Sequence, residues 1–243
     1  MRFEDTEIIS VSNFIVKYSE HSQSGAAPVW FRGQSNKDWK LLPKLLRSDP
    51  GNERYLINKF KQNASLILGN TPKSEFEWLF LMQHYGIATR LLDWTESPLV
   101  GLYFACENSV GDAALWAMLP VSLNLKSHYR SLCDAEIPSF EDDYLINYLP
   151  TSIGQEIRSE LNPMAAIALR NNPRIQAQQG VFTISHRGNI PIEDVGENGG
   201  SRDYIWRYII KADNKKTIMD ELSLLGINKF MLFPELDNIT NLL

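Results

Sequence analysis

Short segments rich in β-branched and aromatic residues recur along the chain, between segments whose apolar residues have helical spacing. The four clearest are VWFRG, AALWAML, GVFTISH and YIWRYIIK. In the last of them, four residues alternate on one face, as in a strand: Tyr204, Trp206, Tyr208 and Ile210. Because strands are scattered among helices and are more frequent late in the chain, we predict an α+β fold with a mixed β-sheet core flanked by helices.

Helical spacing and capping residues predict the segments between these strands. We expect helices over residues 8–20, in NERYLINKFKQNASLIL with Asn52 as its cap, in SEFEWLFLMQHYG, in SPLVGLYFACEN and in NKKTIMDELSLLGI. Ser74 and Glu77 have the spacing of a capping box, and Gly86 ends that helix. SFEDDYL and TSIGQEIRSEL indicate two further helices, and KFMLF predicts a final short strand.

Composition adds limits on class and location. Of the 243 residues, 44% are hydrophobic and 22% are charged, and no segment resembles a linker, so we predict a single domain over residues 1–243. The net charge of −5 argues against non-specific binding to a polyanion. The first residues lack a signal peptide, and no apolar run approaches the roughly 18 residues of a membrane helix. We expect a cytoplasmic protein with no membrane partner and a reduced, buried thiol at Cys106.

The segment VWFRGQ places Arg32, Gly33 and Gln34 at the end of a predicted strand, directly after Phe31. A guanidinium presents its donors in a rigid fork that suits phosphate or carboxylate. Glycine lets another group approach the backbone closely. Two interpretations remain open from these residues alone: Arg32 contacts an anionic ligand, or it pairs internally with an acidic residue.

Polar residues are concentrated among large apolar ones in QHYGIATRLLDWTES: Gln83, His84, Thr89, Arg90, Asp93 and Thr95. We predict a turn between two helices here, in which buried polar groups have to pair. A local ion pair is the favoured interpretation for Arg90 and Asp93. His84 is a candidate base, and the alternative is a histidine that forms hydrogen bonds in the core.

A third polar cluster, formed by Arg174, Gln178 and Gln179, precedes a glycine and a strand in NPRIQAQQGVFTI. Two side-chain amides can bind a sugar hydroxyl or a base edge, or can belong to a solvated turn. Four scattered histidines and two distant cysteines give no metal-ligand spacing, so we expect no metal.

Burial of polar residues without a shared purpose is costly. We therefore expect the three clusters to converge. The residues predicted to line or directly support one concave pocket are Arg32, Gln83, Thr89, Asp93 and Gln178.

Four motifs occur in order between residue 30 and about residue 237: WFRGQ…W.L.P.L.R, QHYG..TRLLDWT.SP..GLYFAC, NPRI.AQ.GVFTI and GI.KFMLFPELD. Together they resemble the FRG domain family, a bacterial family named for its Phe-Arg-Gly motif. The resemblance implies that a single FRG domain spans nearly the whole chain.

The same motifs bear a more distant resemblance to arginine-type ADP-ribosyltransferases. FRG is similar to their first-strand Arg-Gly, which seats NAD, and LLDWTESPLVGLYFA takes the place of their second motif, a strand bearing Ser or Thr followed by a helix. IQAQQG falls where their catalytic glutamate would come, so Gln178 and Gln179 stand in place of that residue. Glu156 and Glu160 are carboxylates that could replace it from elsewhere.

This resemblance implies an ADP-ribosyltransferase-like fold, NAD as the substrate and no metal cofactor. It assigns catalytic positions to Arg32, Thr95 and Gln178. The residues expected to contact the nucleotide are Phe31, Arg32, Gly33, Gln34, Gln83, His84, Thr89, Arg90 and Asp93.

Three functions remain open. The first is an enzyme, such as a toxin or phage-defence effector, that transfers ADP-ribose from NAD to a nucleic acid or protein acceptor or hydrolyses NAD. The second is a non-catalytic module that binds a nucleotide or nucleic acid and senses it. The third is a phosphodiester enzyme with Arg32 and His84 near the phosphate, against which the lack of an acidic metal cluster counts. The neutral glutamines favour the second over the first, whereas the polar density of residues 83–95 favours chemistry.

Overall fold

A computed structural model describes residues 1–22, 27–47, 53–108, 110–127, 136–153, 161–196, 202–235 and 238. Within these residues the strands are β1 (Thr6–Ile8), β2 (Trp30–Gln34), β3 (Leu91–Thr95), β4 (Ala113–Met118), β5 (Met164–Ala166), β6 (Gly180–Ile184) and β7 (Ile205–Ile210). The α-helices are α1 (Val11–His21), α2 (Lys44–Arg47), α3 (Glu53–Ala64), α4 (Glu75–His84), α5 (Pro98–Cys106), α6 (Pro120–Lys126), α7 (Pro150–Ile153), α8 (Pro173–Ala177), α9 (Ala212–Leu224) and α10 (Lys229–Leu232).

All seven of these strands belong to one sheet, in the order β1-β7-β4-β2-β3-β6-β5. β1 runs parallel to β7, and the other neighbouring strands are antiparallel. The predicted mixed sheet flanked by helices is therefore confirmed, and it contains the four segments predicted as strands. That residues 1–243 form a single domain stays a prediction.

The two faces of the sheet bury different clusters. Side chains alternate along a strand, so Trp30 and Phe31 of β2 point to opposite faces. Phe31 packs with α1, α5 and α9, and Leu91 of β3, on the same face, packs with α3 and α4. Trp30 belongs to a third cluster on the other face, together with Trp94 and Trp116. One face thus carries two separate helical layers, one over each half of the sheet.

Helix α5 lies directly on β2, and Gly33 makes this possible. A Cβ atom on Gly33 would lie 2.1 Å from the carbonyl oxygen of Gly101 and 2.4 Å from the backbone nitrogen of Ala105. The group that approaches Gly33 closely is therefore the backbone of α5. A glycine is required here for helix packing, which is a different reason from the contact with a ligand that the sequence predicts.

Near the two ends of the chain, one predicted strand and one predicted helix differ from the elements that the structure shows. The KFMLF segment forms helix α10, so the predicted final strand is wrong. Asn228 caps this helix by accepting a hydrogen bond from the backbone nitrogen of Met231 at 2.9 Å. The first helix begins at Val11, because Ser10 caps it and residues 6–8 pair with β7 as strand β1.

Other segments agree in part with the sequence predictions. Ser74 caps α4 by accepting a hydrogen bond from the backbone nitrogen of Glu77, as predicted. The SFEDDYL segment leads into a 3₁₀ helix, Asp143–Tyr148, and TSIGQEIRSEL begins within α7. Asn52 and residues 154–160 lie outside the described residues. Cys106 is buried and free, and burial raises the pKa of its thiol to about 12.

Among the described residues we find no helix with the length and apolarity that crossing a membrane requires.

Candidate functional site

The sheet opens between β2 and β3. In the described residues the register of these two strands consists of one pair, Phe31 and Thr95, whereas β2 is paired with β4 along all five of its residues. Beyond that pair lies a cavity of about 300 Å³, at the lower end of the range for small-molecule sites. The cavity is flanked by α4 and α5, which belong to the two helical layers on this face.

All but two of the predicted site residues line this cavity: Phe31, Arg32, Gly33, Gln34, Gln83, His84, Asp93, Thr95 and Gln178. Thr89 lies beside the cavity and contacts Gln83, and Arg90 lies elsewhere. The structure therefore brings together the three polar clusters that the sequence predicts to converge. Their roles in binding and catalysis stay predictions.

Arg32 has an incomplete set of partners in this cavity. Its Nη1 donates to the backbone carbonyl of Asp93 at 2.6 Å, and its buried Nε has no hydrogen-bond partner among the described residues. Burial lowers the pKa of Arg32 to about 10, with Asp93 opposing and Arg47 adding to the effect, so the guanidinium is charged at neutral pH. Within the described part of the chain Arg32 forms no salt bridge, in contrast to the internal pair that remained an alternative.

Gln83 is held in one orientation by its neighbours. The backbone nitrogen of Leu91 donates to Thr89 Oγ1 at 3.2 Å, and the Thr89 hydroxyl donates to Gln83 Oε1. Gln83 Nε2 then donates to Asp93 Oδ2 at 2.8 Å. Asp93 is exposed to the cavity, so this series of hydrogen bonds presents a fixed carboxylate to it.

The predicted local ion pair between Arg90 and Asp93 is wrong. Arg90 pairs instead with Glu53, and its Nη1 donates to the backbone carbonyls of Ser185 and His186, at 3.0 Å each. Residues three apart in an extended segment point to opposite faces, so Arg90 cannot share the face of Asp93. Arg90 is buried away from the cavity, and the structure gives it a role in packing.

Thr95 and Gln178 already have hydrogen-bond partners. Thr95 Oγ1 donates to the backbone carbonyl of Gln178 at 2.7 Å and accepts from the backbone nitrogen of Ser97 at 3.0 Å. Gln178 Nε2 donates to the backbone carbonyl of Leu232 in α10 at 3.1 Å. At Gln178, where a catalytic glutamate is expected, the chain therefore has a neutral amide, and this amide forms a hydrogen bond with α10. The other candidate carboxylates, on Glu156 and Glu160, lie outside the described residues.

His84 and Glu107 line another part of the same cavity. Burial, with a contribution from Arg174, lowers the pKa of His84, and its buried Nδ1 has no hydrogen-bond partner among the described residues. Burial raises the pKa of Glu107, and Lys229 and Arg174 oppose the shift. Arg174 lies over the ring of Phe233, 4.5 Å from its centroid. A neutral imidazole is thus available as a proton acceptor at pH 7.

Sequence reasoning missed several lining residues, among them Trp39, Arg47, Phe80, Phe104 and Glu107. Trp39 and Arg47 belong to the first motif and Phe104 belongs to the second, so the motifs contained a signal for these three residues. Glu107 follows the second motif without any pattern that distinguishes it from a surface charge. The cavity has an excess of positively charged side chains, because three arginines and two carboxylates line it: Arg32, Arg47, Arg174, Asp93 and Glu107.

Part of the chain matches a known family of protein domains. Residues 27–113 match the family model of the FRG domain. The chain carries an FRG domain. The matched residues include Arg32 and the polar segment 83–95, so the FRG match supplies one wall of the cavity. The wall from α8 and β6 lies beyond it, and no curated protein and no solved structure was found to match the chain.

The described residues of this FRG-domain chain contain no group of three or more His, Cys, Asp or Glu side chains that could hold a metal ion. The expectation that no metal takes part stays a prediction, as does the resemblance to ADP-ribosyltransferases.

Proposed function

We propose that the cavity binds NAD and cleaves its nicotinamide–ribose bond, passing ADP-ribose to water or to a nucleic acid or protein acceptor. The observation that carries the proposal is the unpartnered Nε of Arg32, which is buried at the cavity beside Arg47. A buried donor without a partner costs about 1–3 kcal/mol. A phosphate or ribose oxygen in the cavity would remove this cost through a charge-assisted hydrogen bond.

The other lining residues suit the remaining parts of a dinucleotide. Arg47 and Arg174 add positive charge for a second phosphate, and aromatic side chains offer flat surfaces for a nicotinamide or adenine ring. Trp39 is 48% exposed, so its indole is accessible to a ring that stacks on it. These features favour a ligand that combines anionic groups with planar rings.

His84 supports cleavage in addition to binding. Cleavage of a glycosidic bond proceeds through an oxocarbenium-like state and requires an incoming nucleophile to lose a proton. A histidine whose pKa is lowered is neutral at pH 7 and can accept this proton. Such chemistry, in a cytoplasmic toxin or phage-defence effector, is the activity that we propose.

Calorimetry and thermal melting test the binding step, with NAD, ADP-ribose, ATP and a short oligonucleotide as probes. We expect NAD and ADP-ribose to raise the melting temperature of the wild type, since a ligand that binds the native state stabilises it. Chromatography of nicotinamide released from NAD tests the cleavage step. Arg32→Ala should lose both responses, whereas Arg54→Ala, at an exposed position on α3, should retain them. The proposal would be contradicted if neither NAD nor ADP-ribose raised the melting temperature of the wild type.

A non-catalytic nucleotide sensor is the second candidate. The hydrogen bond from Gln178 to Leu232 favours it, because a neutral amide that is already engaged cannot replace a catalytic glutamate. Binding of NAD and ADP-ribose without any release of nicotinamide would identify the sensor. Release of nicotinamide by the wild type would exclude it.

A further inference from the structure

We infer that Asp93 is the carboxylate that stabilises positive charge on the nicotinamide ribose, in place of the glutamate that is missing at Gln178 and Gln179. This inference rests on the proposed binding of NAD. It assigns the anion of the site to β3, at a position that the resemblance assigned to nucleotide contact and not to catalysis.

The first support is the position of Asp93 relative to Arg32. The backbone carbonyl of Asp93 accepts the Nη1 hydrogen bond of Arg32, while its side chain is exposed to the cavity. The group proposed to bind a phosphate or ribose and the group proposed to face the reacting carbon are therefore fixed to each other. A ligand held by Arg32 has the Asp93 carboxylate within the same cavity.

The second support is the direction of the hydrogen bonds. The Asp93 carboxylate only accepts hydrogen bonds, so the Gln83 atom 2.8 Å from Asp93 Oδ2 is the donor Nε2. Gln83 Oε1 therefore faces Thr89, whose hydroxyl donates to it while Thr89 Oγ1 accepts from the backbone nitrogen of Leu91. Among the described residues no hydrogen bond reaches Asp93 Oδ1, which leaves that oxygen available to a ligand.

The other carboxylate of the cavity, on Glu107, is less suited to this role. Glu107 is the C-terminal cap of α5, where the helix dipole disfavours a negative charge, and burial raises its pKa. No side-chain amide or hydroxyl among the described residues orients it. Asp93 is therefore the better candidate, and Glu107 serves as the matched comparison.

The chemical step needs only NAD⁺ and either water or an acceptor hydroxyl. The bond between C1′ of the ribose and the nicotinamide nitrogen breaks, and its electron pair leaves with the nitrogen as neutral nicotinamide. The positive charge that develops on C1′ and the ring oxygen is stabilised by the Asp93 carboxylate. Water or an acceptor hydroxyl then attacks C1′ and gives up its proton to His84 or to solvent. With water, NAD⁺ and H₂O yield ADP-ribose, nicotinamide and one proton.

Asp93→Asn tests this role, because asparagine has the same shape and keeps an acceptor for Gln83 but has no charge. We expect nicotinamide release at saturating NAD to fall by about 100-fold or more, the loss typical of removing one such electrostatic contact. Affinity for ADP-ribose, which lacks the cationic ring, should stay within about threefold. Asp220→Asn, on the exposed face of α9, is the matched control and should behave as the wild type.

A second readout does not depend on turnover. NAD⁺ carries a positive nicotinamide ring and NADH a neutral one, so an anion at the ribose should favour NAD⁺. We expect the wild type to bind NAD⁺ about tenfold more tightly than NADH, and Asp93→Asn to bind the two equally. An unchanged preference in Asp93→Asn would overturn the inference and leave the proposed function intact.

Two further outcomes separate a failure of the role assigned to Asp93 from a failure of the proposed function. If Glu107→Gln abolishes nicotinamide release and Asp93→Asn does not, the carboxylate is Glu107 and the inference is wrong. If the wild type binds neither NAD⁺ nor ADP-ribose, the proposed function fails, and the role of Asp93 fails with it. Melting temperatures of all variants show whether each one is folded at the assay temperature.

Discussion

Arg32 Nη1 donates a hydrogen bond to the backbone carbonyl of Asp93, 2.6 Å away, and so connects β2 to β3 beyond their one residue pair. This contact uses one guanidinium donor and leaves the Asp93 carboxylate directed at the cavity. Arg32 thus joins the two halves of the sheet without a salt bridge to any described residue. It is held in position at the cavity, and no described acidic residue pairs with it.

Two arginines of this chain should respond differently to removal. Arg32→Ala should weaken binding of ADP-ribose by about 1.5–3 kcal/mol, the contribution of a hydrogen bond to a charged group. Its effect on the free energy of unfolding should be about 1 kcal/mol, because one contact to a neutral carbonyl is lost. Calorimetric titration and urea denaturation of the same variant measure the two quantities.

Arg90→Ala is the comparison for Arg32→Ala. It strands the Glu53 carboxylate and two carbonyl oxygens, and should lower the free energy of unfolding by about 3–5 kcal/mol. A large loss of stability in Arg32→Ala, together with unchanged affinity for ADP-ribose, would make Arg32 a scaffold residue like Arg90.

Gly33→Ala should destabilise the protein strongly. The added Cβ would lie 2.1 Å from the Gly101 carbonyl oxygen, so helix α5 would have to move away from β2. We expect a loss of about 3 kcal/mol or more in the free energy of unfolding, measured by urea denaturation. Gly69→Ala is the control, because a Cβ there would have no neighbour within 4 Å, and it should change stability by less than about 0.5 kcal/mol. Equal stability of the two variants would contradict the close contact.

The Gly33 contact shows where sequence reasoning reaches its limit. The FRG motif identifies a position at which a neighbour comes close, but the neighbour belongs to a helix almost 70 residues further along the chain. Composition and periodicity carry no information on such long-range contacts. The converging polar clusters could be predicted because each contains polar groups embedded in apolar sequence. The identity of their partners, such as Glu53 for Arg90, could not.

Thr89→Val should alter ligand preference through Gln83. Valine has nearly the shape of threonine but cannot donate to Gln83 Oε1, so the amide is free to turn and Asp93 loses its fixed donor. We expect the preference for NAD⁺ over NADH to fall towards equality, and the free energy of unfolding to fall by about 1–3 kcal/mol.

Thr89→Ser keeps the hydroxyl and should restore the preference for NAD⁺. This rescue distinguishes a positioning role from a loss of packing, which serine would not repair. A preference that Thr89→Val leaves unchanged would show that Gln83 is oriented by other contacts.

The stability of the native state should fall in mild acid because of His186. Burial, reinforced by Arg90 and Arg187, lowers the pKa of His186 from its ordinary value of 6.5 to about 4. The unfolded chain therefore binds a proton at higher pH than the native state does. The associated stability is fully present above pH 6.5 and is lost as the pH falls towards 4.

We expect a loss of about 1–2 kcal/mol between pH 7 and pH 4.5, after allowance for solvent screening of the arginines. Urea denaturation at several pH values measures it. His186→Gln cannot gain a charge, so the part of the pH dependence due to this residue should disappear in that variant. An identical pH dependence in variant and wild type would exclude His186 as its source.

Short apolar segments account for the remaining differences between prediction and structure. KFMLF and LLDWT are similar in length and apolarity, yet the first forms α10 and the second forms β3. Such runs do not distinguish a helical turn from a strand by periodicity. The cap at Asn228 decides the first case, and pairing of Leu91 with Ile184 and of its neighbours with β6 decides the second.

The one pair that joins β2 to β3, Phe31 with Thr95, has a consequence for the evolution of specificity. A continuous ladder of backbone hydrogen bonds would set the separation of the two strands independently of their side chains. Here the separation depends on side-chain contacts such as that of Arg32 with the carbonyl of Asp93. The atoms that determine the width of the cleft are therefore among those that face its contents. A substitution that adapts the site to a new ligand will also resize it, so the two properties should change together in related chains.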